Sequence, residues 1–401
     1  MSRTVIICGV PPVRSIGAGR LAIELDRQAA GRPDVRLLYA GNRSAVAEAV
    51  RRRRWGSAAG SLAVHMGRRA RQWLLAAASS IRDAESVILL HPQSIGGGWC
   101  LDLIERRRCP TWIYLLDSSF FCIRSYNHLP EEQDACVRCL GGAWAAAAEH
   151  GCRPYPAGHD CGLPFLRRLR SLAAGGRVRF MAQNPGQAIL AERHFGTPWK
   201  VPVVGMWTVD LEEVFSGAAR SLAARPPQSA YDVVFHGGDH AAKGFGWALD
   251  VATRLPSARF LFPMAWKPRP GREHRPANCD FVPMTWESGL EAAVSEARVT
   301  LVPSLWSAPV EGALVKSIAV GRAVAAPVVE SGFVSDLPTG LIRLLDRSPG
   351  VAASQLHESI VSGWRPPAET LAAWRARFRA ENADLLARMV RAAFPSTTPS
   401  P

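Results

Sequence analysis

Short apolar runs recur along the chain and alternate with stretches of helical or loop character. Runs of this length, bounded by glycine, proline and polar residues, are typical of buried strands. Apolar residues at helical spacing follow the first run, from Leu21 to Leu25. This alternation predicts a parallel sheet with helices on both faces. In the first half the strands are predicted at 3–10, 35–39, 86–90, 111–116 and 177–181, with one more short strand after Lys200.

The same alternation begins again after residues 216–230, which are rich in Ala, Arg, Pro and Ser and are interpreted as a linker. Strands are predicted at 232–236, 259–262, 279–282 and 299–302, and helices at 247–255, 290–296 and from Glu311 to Gly321. A long amphipathic helix is expected at 368–394, and residues 395–401 are expected to form a disordered tail. The pattern therefore predicts two Rossmann-like, doubly wound domains, 1–205 and 206–367, the first with a cysteine-rich insertion at about 117–165.

Composition fits this organisation. The 401 residues are 48% hydrophobic and 20% charged, which is ordinary for a globular protein with two hydrophobic cores. No apolar run is long enough to span a bilayer, and Met1 leads into the first strand without a signal-peptide pattern, so a cytoplasmic location is expected. The net charge of +14 favours anionic partners such as phosphorylated substrates or the inner face of a membrane. No nucleic acid is expected, because the basic clusters lack interleaved aromatic residues.

One candidate site lies where the strand at 299–302 ends at Pro303 and Ser304. A short turn follows, and the helix that begins near Glu311 has amides without intrahelical partners at the positive end of its dipole. Gly312 would let an anion approach these amides closely. The segment predicts a phosphate or carboxylate site, although an ordinary connection between strand and helix would have the same pattern.

A second candidate is the loop after the strand at 232–236, with the sequence HGGDHAAKGF. Gly237 and Gly238 permit a tight backbone, and Lys243 supplies a cation. Ligands of doubly wound sheets bind outside the carboxyl ends of the strands, where both this loop and the helix start should lie. Lys243 and the helix amides are therefore expected to converge on a diphosphate, whose developing negative charge they would stabilise. The alternative for Lys243 is a solvated loop lysine.

The order of these features resembles that of the retaining glycosyltransferases of family 4, which have the GT-B fold. The resemblance is carried by residues 235–244, by Pro303-Ser304, by 318–324 and by the Thr208-Val209-Asp210 turn. It implies two Rossmann-like domains that face each other across a cleft, with the C-terminal helix packing back on the N-domain. It also implies metal-independent transfer of a sugar, with retention, from a nucleotide-sugar donor to a glycan, lipid-linked or small-molecule acceptor. Peripheral contact with an anionic membrane would suit such an acceptor.

The paired glutamates of the family fall at Ala308 and Lys316 in this chain, and Glu311 lies three residues beyond the first position. A rearrangement of one helical turn would let Glu311 reach the donor sugar and Lys316 reach a phosphate or an acidic group of the donor. Ser304 and Ser317 are further candidates for donor binding. Two alternatives stay open because of these replacements. The chain could be a non-catalytic protein that binds sugar nucleotides or glycans, or a GT-B nucleotide-sugar epimerase.

On the acceptor side, Asp117 ends a strand of the N-domain where some members of the family carry a His-Asp pair. The resemblance makes Asp117 a catalytic candidate together with Glu311 and Lys243. A strand-end loop cap is the alternative for Asp117. Gly17, Gln93, Tyr126 and Asn127 are expected to line the same side. The glycines near Gly17 do not have the dinucleotide-binding spacing, so no nicotinamide cofactor is expected.

Four of the nine cysteines, Cys122, Cys136, Cys139 and Cys152, lie close together in the sequence. The spacing Cys136-Val-Arg-Cys139 can place two thiolates on one metal, and one cysteine lies on either side of it. Four sulfur ligands predict a structural zinc site, with an iron–sulfur cluster as the alternative. Cys161, His150 or His159 could replace one ligand. Unligated thiols with a chance Cys-x-x-Cys spacing would have the same pattern.

Overall fold

The computed structural model describes residues 4–39, 81, 83–129, 131, 134–155, 162–196, 200–217 and 230–394. The chain packs into two units. The first contains Met1–Ser125, Arg138–Val209 and Asn382–Pro401, and the second contains Tyr126–Val137 and Asp210–Glu381. The sequence places residues 117–165 wholly in the first domain, whereas the structure assigns Tyr126–Val137 to the second unit. The predicted tail, most of the predicted linker, and Cys161 and His159 lie outside the described residues.

The strands of the described residues are short, and most coincide with the apolar runs of the sequence. In chain order they are β1 (Thr4–Cys8), β2 (Val35–Tyr39), β3 (Ser86–Leu90), β4 (Thr111–Tyr114), β5 (His128–Leu129), β6 (Asp134–Ala135), β7 (Val178–Met181), β8 (Val233–Phe235), β9 (Phe260–Phe262), β10 (Cys279–Phe281), β11 (Val299–Leu301), β12 (Val324–Pro327) and β13 (Arg343–Leu345). The strand predicted after Lys200 is not formed. Only an isolated parallel bridge joins Val203 to Ala182, next to Pro202, which has no amide proton to donate.

The α-helices of the described residues fill the connections between these strands. In chain order they are α1 (Gly17–Ala29), α2 (Pro92–Ile95), α3 (Gly97–Arg106), α4 (Ala145–Glu149), α5 (Leu163–Ala174), α6 (Pro185–Phe195), α7 (Val209–Gly217), α8 (Phe245–Arg254), α9 (Glu291–Glu296), α10 (Gly312–Val320), α11 (Pro349–Ser362), α12 (Ala368–Asn382) and α13 (Leu385–Ala393). No helix among the described residues is long and apolar enough to cross a membrane.

The first unit contains a parallel sheet with strand order β2-β1-β3-β4-β7. Ile6 in β1 pairs with Leu37 on one side and Ile88 on the other. Every residue of β1 and β3 is buried. Burial on both faces explains why these strands appear in the sequence as continuous apolar runs rather than alternating patterns.

The second unit contains a parallel sheet with strand order β10-β9-β8-β11-β12-β13. Its core includes the stacked rings of Phe235 and Phe262, whose centroids are 5.1 Å apart. β8 and β11 are neighbours, with Val234 paired to Thr300. The loops that follow these two strands therefore leave the same edge of the sheet side by side.

The helix predicted at 368–394 is two helices, α12 and α13, separated at residues 383–384. α12 packs in the second unit, where the ring of Phe378 stacks on Phe215 at 5.7 Å. α13 belongs to the first unit, where Gln28 of α1 donates to the carbonyl of Ala383 (2.7 Å) and accepts from the amide of Leu386 (2.9 Å). The prediction that the C-terminal helix packs on the N-terminal domain is confirmed for α13.

Candidate functional site

Lys243 and Glu311, which lie in the loops after β8 and β11, form an ion pair. Nζ of Lys243 is 2.7 Å from Oε2 of Glu311, and the two side chains are only 21% and 11% exposed. The hydroxyl of Ser304 donates to the same carboxylate oxygen at 2.9 Å. The structure therefore brings the loop lysine to the Pro-Ser turn and the start of α10, which lie far from it in the sequence.

A close backbone approach holds the two loops against each other. Gly244 has a φ of +68°, and a Cβ atom on it would lie 1.9 Å from the carbonyl oxygen of Pro303. Only glycine fits this position without displacing the backbone. The amide of Leu305 donates to the carbonyl of Ala242 at 2.9 Å. Lys243 is thus fixed between two residues that touch the Pro303–Leu305 turn.

Glu311 occupies the position before the first residue of α10, with an extended backbone. Burial raises the pKa of its carboxyl group. The charge and hydrogen bond of Lys243, the hydroxyl of Ser304 and the nearby amide of Ala313 lower it by more, so the pKa lies below its ordinary value. The carboxylate is therefore ionised at neutral pH and lies where an external anion would meet the helix amides.

Two aromatic rings enclose the ammonium group of Lys243. Nζ lies 5.0 Å from the centroid of the Trp306 ring and 5.6 Å from that of Tyr126. The two rings meet edge to face at 4.7 Å, and the ring of His240 also packs on that of Tyr126, at 5.2 Å. Because aromatic faces attract cations, these rings restrict where the ammonium group can lie.

An apolar pocket adjoins the carboxylate of Glu311. Besides Glu311 and Ser304 it is lined by Trp306, Leu314 and Phe333, with further aliphatic residues around them. Trp306 is buried, and its indole N–H finds no hydrogen-bond partner among the described residues. A buried unpaired donor is costly. The pocket thus brings Glu311 and Trp306 together in largely apolar surroundings.

Lys316 and Ser317, which the sequence places on the donor, are both buried. Lys316 Nζ lies 3.1 Å from Oδ2 of Asp210, with the two side chains 6% and 7% exposed, and it lies 4.6 Å from the centroid of the Trp286 ring. Ser317 contacts Nδ1 of His236 through its hydroxyl at 2.8 Å. Both side chains already have partners inside the second unit.

The two glycines of the first loop differ in their surroundings. A Cβ on Gly237 would lie 2.7 Å from the ring of Phe235, whereas one on Gly238 would meet no atom within 4 Å. Gly312, the first residue of α10, is likewise open on its Cβ side. The space beside the α-carbon is therefore open at Gly238 and at Gly312.

In the first unit, Asp117 lines a cavity together with His91, Gln93 and Ser119. Asp117 accepts from the amide of Ser119 at 2.9 Å, and the amide nitrogen of Gln93 donates to the hydroxyl of Ser119. Gln93 is buried, and its carbonyl oxygen has no hydrogen-bond partner among the described residues. Two side chains that carry acceptor oxygens, Asp117 and Gln93, therefore line this cavity.

His91 is a residue that the sequence reasoning missed. It follows β3 directly and has left-handed backbone angles, φ 56° and ψ 62°, which are rare for a non-glycine residue. Burial lowers the pKa of its imidazole, and the negative charge of Asp117 partly offsets this. Immediately before Asp117, where the resemblance expects a histidine, this chain has Leu116. The imidazole of His91 lies instead at the carboxyl end of the neighbouring strand. The position of His91 directly after an apolar run could have identified it as a candidate, because ligands bind at the carboxyl ends of such strands.

The other residues that the sequence places on the acceptor side belong to different units. Gly17 is the exposed first residue of α1 in the first unit. Tyr126 and Asn127 belong to the second unit. Tyr126 packs on Trp306 beside Lys243, and the side-chain amide of Asn127 donates to the hydroxyl of Ser307 at 2.7 Å.

The four cysteines do not form the predicted metal site. Within the part of the chain that the structure describes, no three His, Cys, Asp or Glu side chains are arranged to hold a metal ion. Cys136 lies in the segment assigned to the second unit, where its amide and carbonyl both bond to Asn127. Cys122, Cys139 and Cys152 belong to the first unit. The described residues thus show no geometry that supports the prediction of zinc or an iron–sulfur cluster on these four ligands.

No protein-family model matches the chain, and no curated protein matches its sequence. Solved structures match over nearly its whole length. Sucrose-phosphate synthase from Thermosynechococcus elongatus is 14% identical, with a TM-score of 0.61 over 98% of this chain and 100% of that chain. A UDP-forming α,α-trehalose-phosphate synthase from Burkholderia vietnamiensis is 10% identical, with a TM-score of 0.55 over 98% of each chain. HepE of Anabaena, in complex with UDP and glucose, is 11% identical, with a TM-score of 0.54 over 97% of this chain and 99% of that chain.

These neighbours are glycosyltransferases of the GT-B type. The chain has the GT-B fold. The two parallel sheets described above are its two Rossmann-like domains, as the sequence predicts. At such low identity the likeness establishes the fold and leaves the activity to be argued from the residues themselves.

Proposed function

We propose that this protein is a retaining, metal-independent glycosyltransferase of the family 4 type that takes its sugar from a nucleotide-sugar donor. The observation that carries the proposal is the meeting of the Lys243 ammonium with Glu311 at the start of α10, 2.7 Å apart. A cation and helix amides at the carboxyl ends of neighbouring strands suit a diphosphate. The solved neighbours support this, since one is a complex with UDP and glucose.

In the unliganded arrangement, Glu311 occupies the place of an anion. A bound diphosphate takes over the ammonium of Lys243 and the first amides of α10. The carboxylate of Glu311 then turns to a sugar hydroxyl in the adjoining pocket. As the bond between the anomeric carbon and the phosphate oxygen breaks, its electron pair leaves with the nucleoside diphosphate, and Lys243 stabilises that charge. The acceptor oxygen bonds to the anomeric carbon, and its proton passes to the departing phosphate.

We place Lys316 in a supporting role, away from the donor. Its ammonium pairs with Asp210 inside the second unit, and both side chains are almost fully buried. If the Lys316 ammonium moved away to contact a phosphate, the buried carboxylate of Asp210 would lose its counter-charge. The pair instead fixes α10, whose N-terminus contributes to the anion site, to α7.

On the acceptor side we propose that Asp117 and Gln93 accept hydrogen bonds from a sugar or another hydroxyl-bearing molecule. Both line the cavity of the first unit, and the unpartnered oxygen of Gln93 needs a donor. The described residues that line this cavity include neither lysine nor arginine. A neutral glycan, lipid-linked sugar or small molecule fits this lining better than a phosphorylated one.

Titration of the purified protein with nucleoside diphosphates and their sugars, by calorimetry, tests the proposal. We expect one nucleotide to bind, and Lys243→Ala to weaken binding by roughly 10- to 100-fold, since a charge-assisted hydrogen bond contributes about 1.5–3 kcal/mol. Lys267→Ala is the control, because Lys267 lies in the same unit and is 70% exposed. Failure of every nucleotide to bind, or equal losses in the two variants, would contradict the proposal.

A binding protein without transferase activity is the second candidate. It is favoured by Ala308 and Lys316, which occupy the positions of the paired glutamates and are both buried. Release of nucleoside diphosphate from a sugar donor separates the two candidates. Turnover that Glu311→Gln abolishes supports the transferase, whereas tight donor binding without turnover over a broad set of acceptors supports the binding protein.

A further inference from the structure

The segment Tyr126–Val137, called the crossing segment below, leaves the first unit and packs in the second before the chain returns at Arg138. It contains the antiparallel strands β5 and β6, with His128 paired to Ala135 and Leu129 to Asp134. Neither strand joins the large sheet. Its attachment to the second unit must therefore come from specific contacts.

Asn127 makes the strongest of these contacts. Its side-chain amide donates to the hydroxyl of Ser307 at 2.7 Å and to the carbonyl of Cys136 at 3.0 Å, and its oxygen accepts from the amide of Ser307 at 3.1 Å. Asn127 and Ser307 are both buried. A buried amide with three good hydrogen bonds defines one geometry, because any shift leaves polar groups unpaired.

Two more contacts attach the same segment. Nδ1 of His128 lies 3.1 Å from the carbonyl oxygen of Leu305 and 3.0 Å from that of Asp134, so this nitrogen carries a proton. Arg347 forms an ion pair with Asp134. The hydrogen bonds to Leu305 and Ser307 flank Trp306 on both sides in the sequence. The crossing segment thus fixes the backbone that carries the Trp306 ring.

Tyr126, the first residue of the segment, completes the enclosure. Its ring meets that of Trp306 at 4.7 Å, and both rings lie within 5.6 Å of the Lys243 ammonium. Tyr126 and Trp306 therefore bound the space that the ammonium can occupy. A lysine side chain held in one position loses less entropy when it binds an anion.

We propose that the crossing segment is a positioning element of the anion site. Tyr126 and Asn127 hold Trp306 and Lys243 in the arrangement that binds the diphosphate of a nucleotide. This inference rests on the proposed function. It adds that nucleotide affinity depends on residues that come from the first half of the sequence and pack in the second unit. Tyr126 and Asn127 act through Lys243 and are positioning residues, not catalytic ones.

The test measures the affinity of the full-length protein for UDP, ADP, GDP and dTDP by calorimetry, using whichever binds the wild type. Tyr126→Leu removes the ring and should weaken binding about 5-fold or more, consistent with a partly buried cation–π contact. Tyr126→Phe keeps the ring and should stay within about 2-fold of the wild type. Asn127→Leu, which removes the anchor of Trp306, should weaken binding by a similar or larger factor.

A double-mutant cycle with Lys243 distinguishes a positioning role of Tyr126 from a general effect on the structure. In a Lys243→Met background, Tyr126→Leu should cause no further loss, because the group it positions is gone. Losses that multiply in the double variant would overturn the inference, as would unchanged affinity in Tyr126→Leu. If Tyr126→Leu melts at a lower temperature, Tyr126→Met repeats the comparison with a more adaptable apolar side chain. A wild type that binds no diphosphate refutes the proposed function and this inference with it, whereas binding that is indifferent to Tyr126 refutes this inference alone.

Discussion

The carboxylate of Glu311 lies 2.7 Å from the ammonium of Lys243, although 68 residues separate them in the sequence. The pair occupies the start of α10, where an anionic ligand would otherwise interact with the helix amides. Glu311 is therefore both a competitor for the anion site and, once displaced, a candidate ligand for the sugar.

Glu311→Gln should separate these two roles. Removing the carboxylate charge frees Lys243, so affinity for a nucleoside diphosphate without its sugar should rise about 3- to 10-fold, corresponding to roughly 1 kcal/mol of lost competition. Turnover of the sugar donor should fall by at least about 100-fold, because the contact to the sugar is lost. Calorimetry and a product-release assay measure the two effects. Glu291→Gln, an exposed carboxylate of the same unit, is the control.

The contribution of Glu311 to stability should depend on pH. Its pKa is lower in the folded protein than in the unfolded chain, so the ionised group stabilises the fold above the unfolded value of about 4.3. That stabilisation should be constant near neutral pH and disappear as the pH falls from about 4.3 through the folded pKa. Urea unfolding of the wild type and Glu311→Gln, compared between pH 3 and pH 7, measures it. A difference that grows on acidification would contradict the assignment.

The buried pair of Lys316 and Asp210 should be important for stability. Lys316→Met leaves the Asp210 carboxylate buried without its counter-charge and should cost about 3–5 kcal/mol of unfolding free energy. The double variant Lys316→Met/Asp210→Leu should recover most of that loss, since both charges are removed. Lys267→Met disrupts the exposed pair with Asp239 and should cost no more than about 1 kcal/mol. Urea titration of the wild type and these three variants measures the free energies of unfolding that test the prediction.

Gly244→Ala should damage the anion site through the backbone. The new methyl group would overlap the carbonyl of Pro303, and the positive φ adds a penalty of about 1–2 kcal/mol. We expect a lower melting temperature together with a loss of nucleotide affinity of about 10-fold or more, because Lys243 is displaced from Glu311. Gly246→Ala is the matched control, since a Cβ there meets nothing within 4 Å and the residue lies in α8.

Many strands and helices of the second domain could be predicted from the sequence, because each is marked by a local pattern of apolar residues. β8 and β11 are apolar runs, and α10 has helical spacing that ends at Gly321. The rule that ligands bind at the carboxyl ends of strands then brings Lys243 and Glu311 together without further information. β12 and β13 were not predicted. Two of the four residues of β12 are alanine, which has little strand preference, and a third is proline.

The structure of the crossing segment could not be predicted from local sequence patterns. Its strands have two residues each and no periodicity, and the contacts that hold it, from Asn127 to Ser307 and from Asp134 to Arg347, join residues far apart in the sequence. Spacing predicted a metal for Cys136 and Cys139, but hydrogen bonds to Asn127 decide where Cys136 lies. Side-chain partners over long separations are set by tertiary packing, which no local pattern records.

Neither unit consists of one unbroken stretch of chain. The second unit includes Tyr126–Val137 from the first half of the sequence, and the first unit includes the residues from Asn382 onward. During synthesis the first unit cannot be complete until α13 has left the ribosome, after every strand of the second sheet. A fragment cut at the boundary near residue 205 would leave one piece without its final helix and the other without the ring of Tyr126.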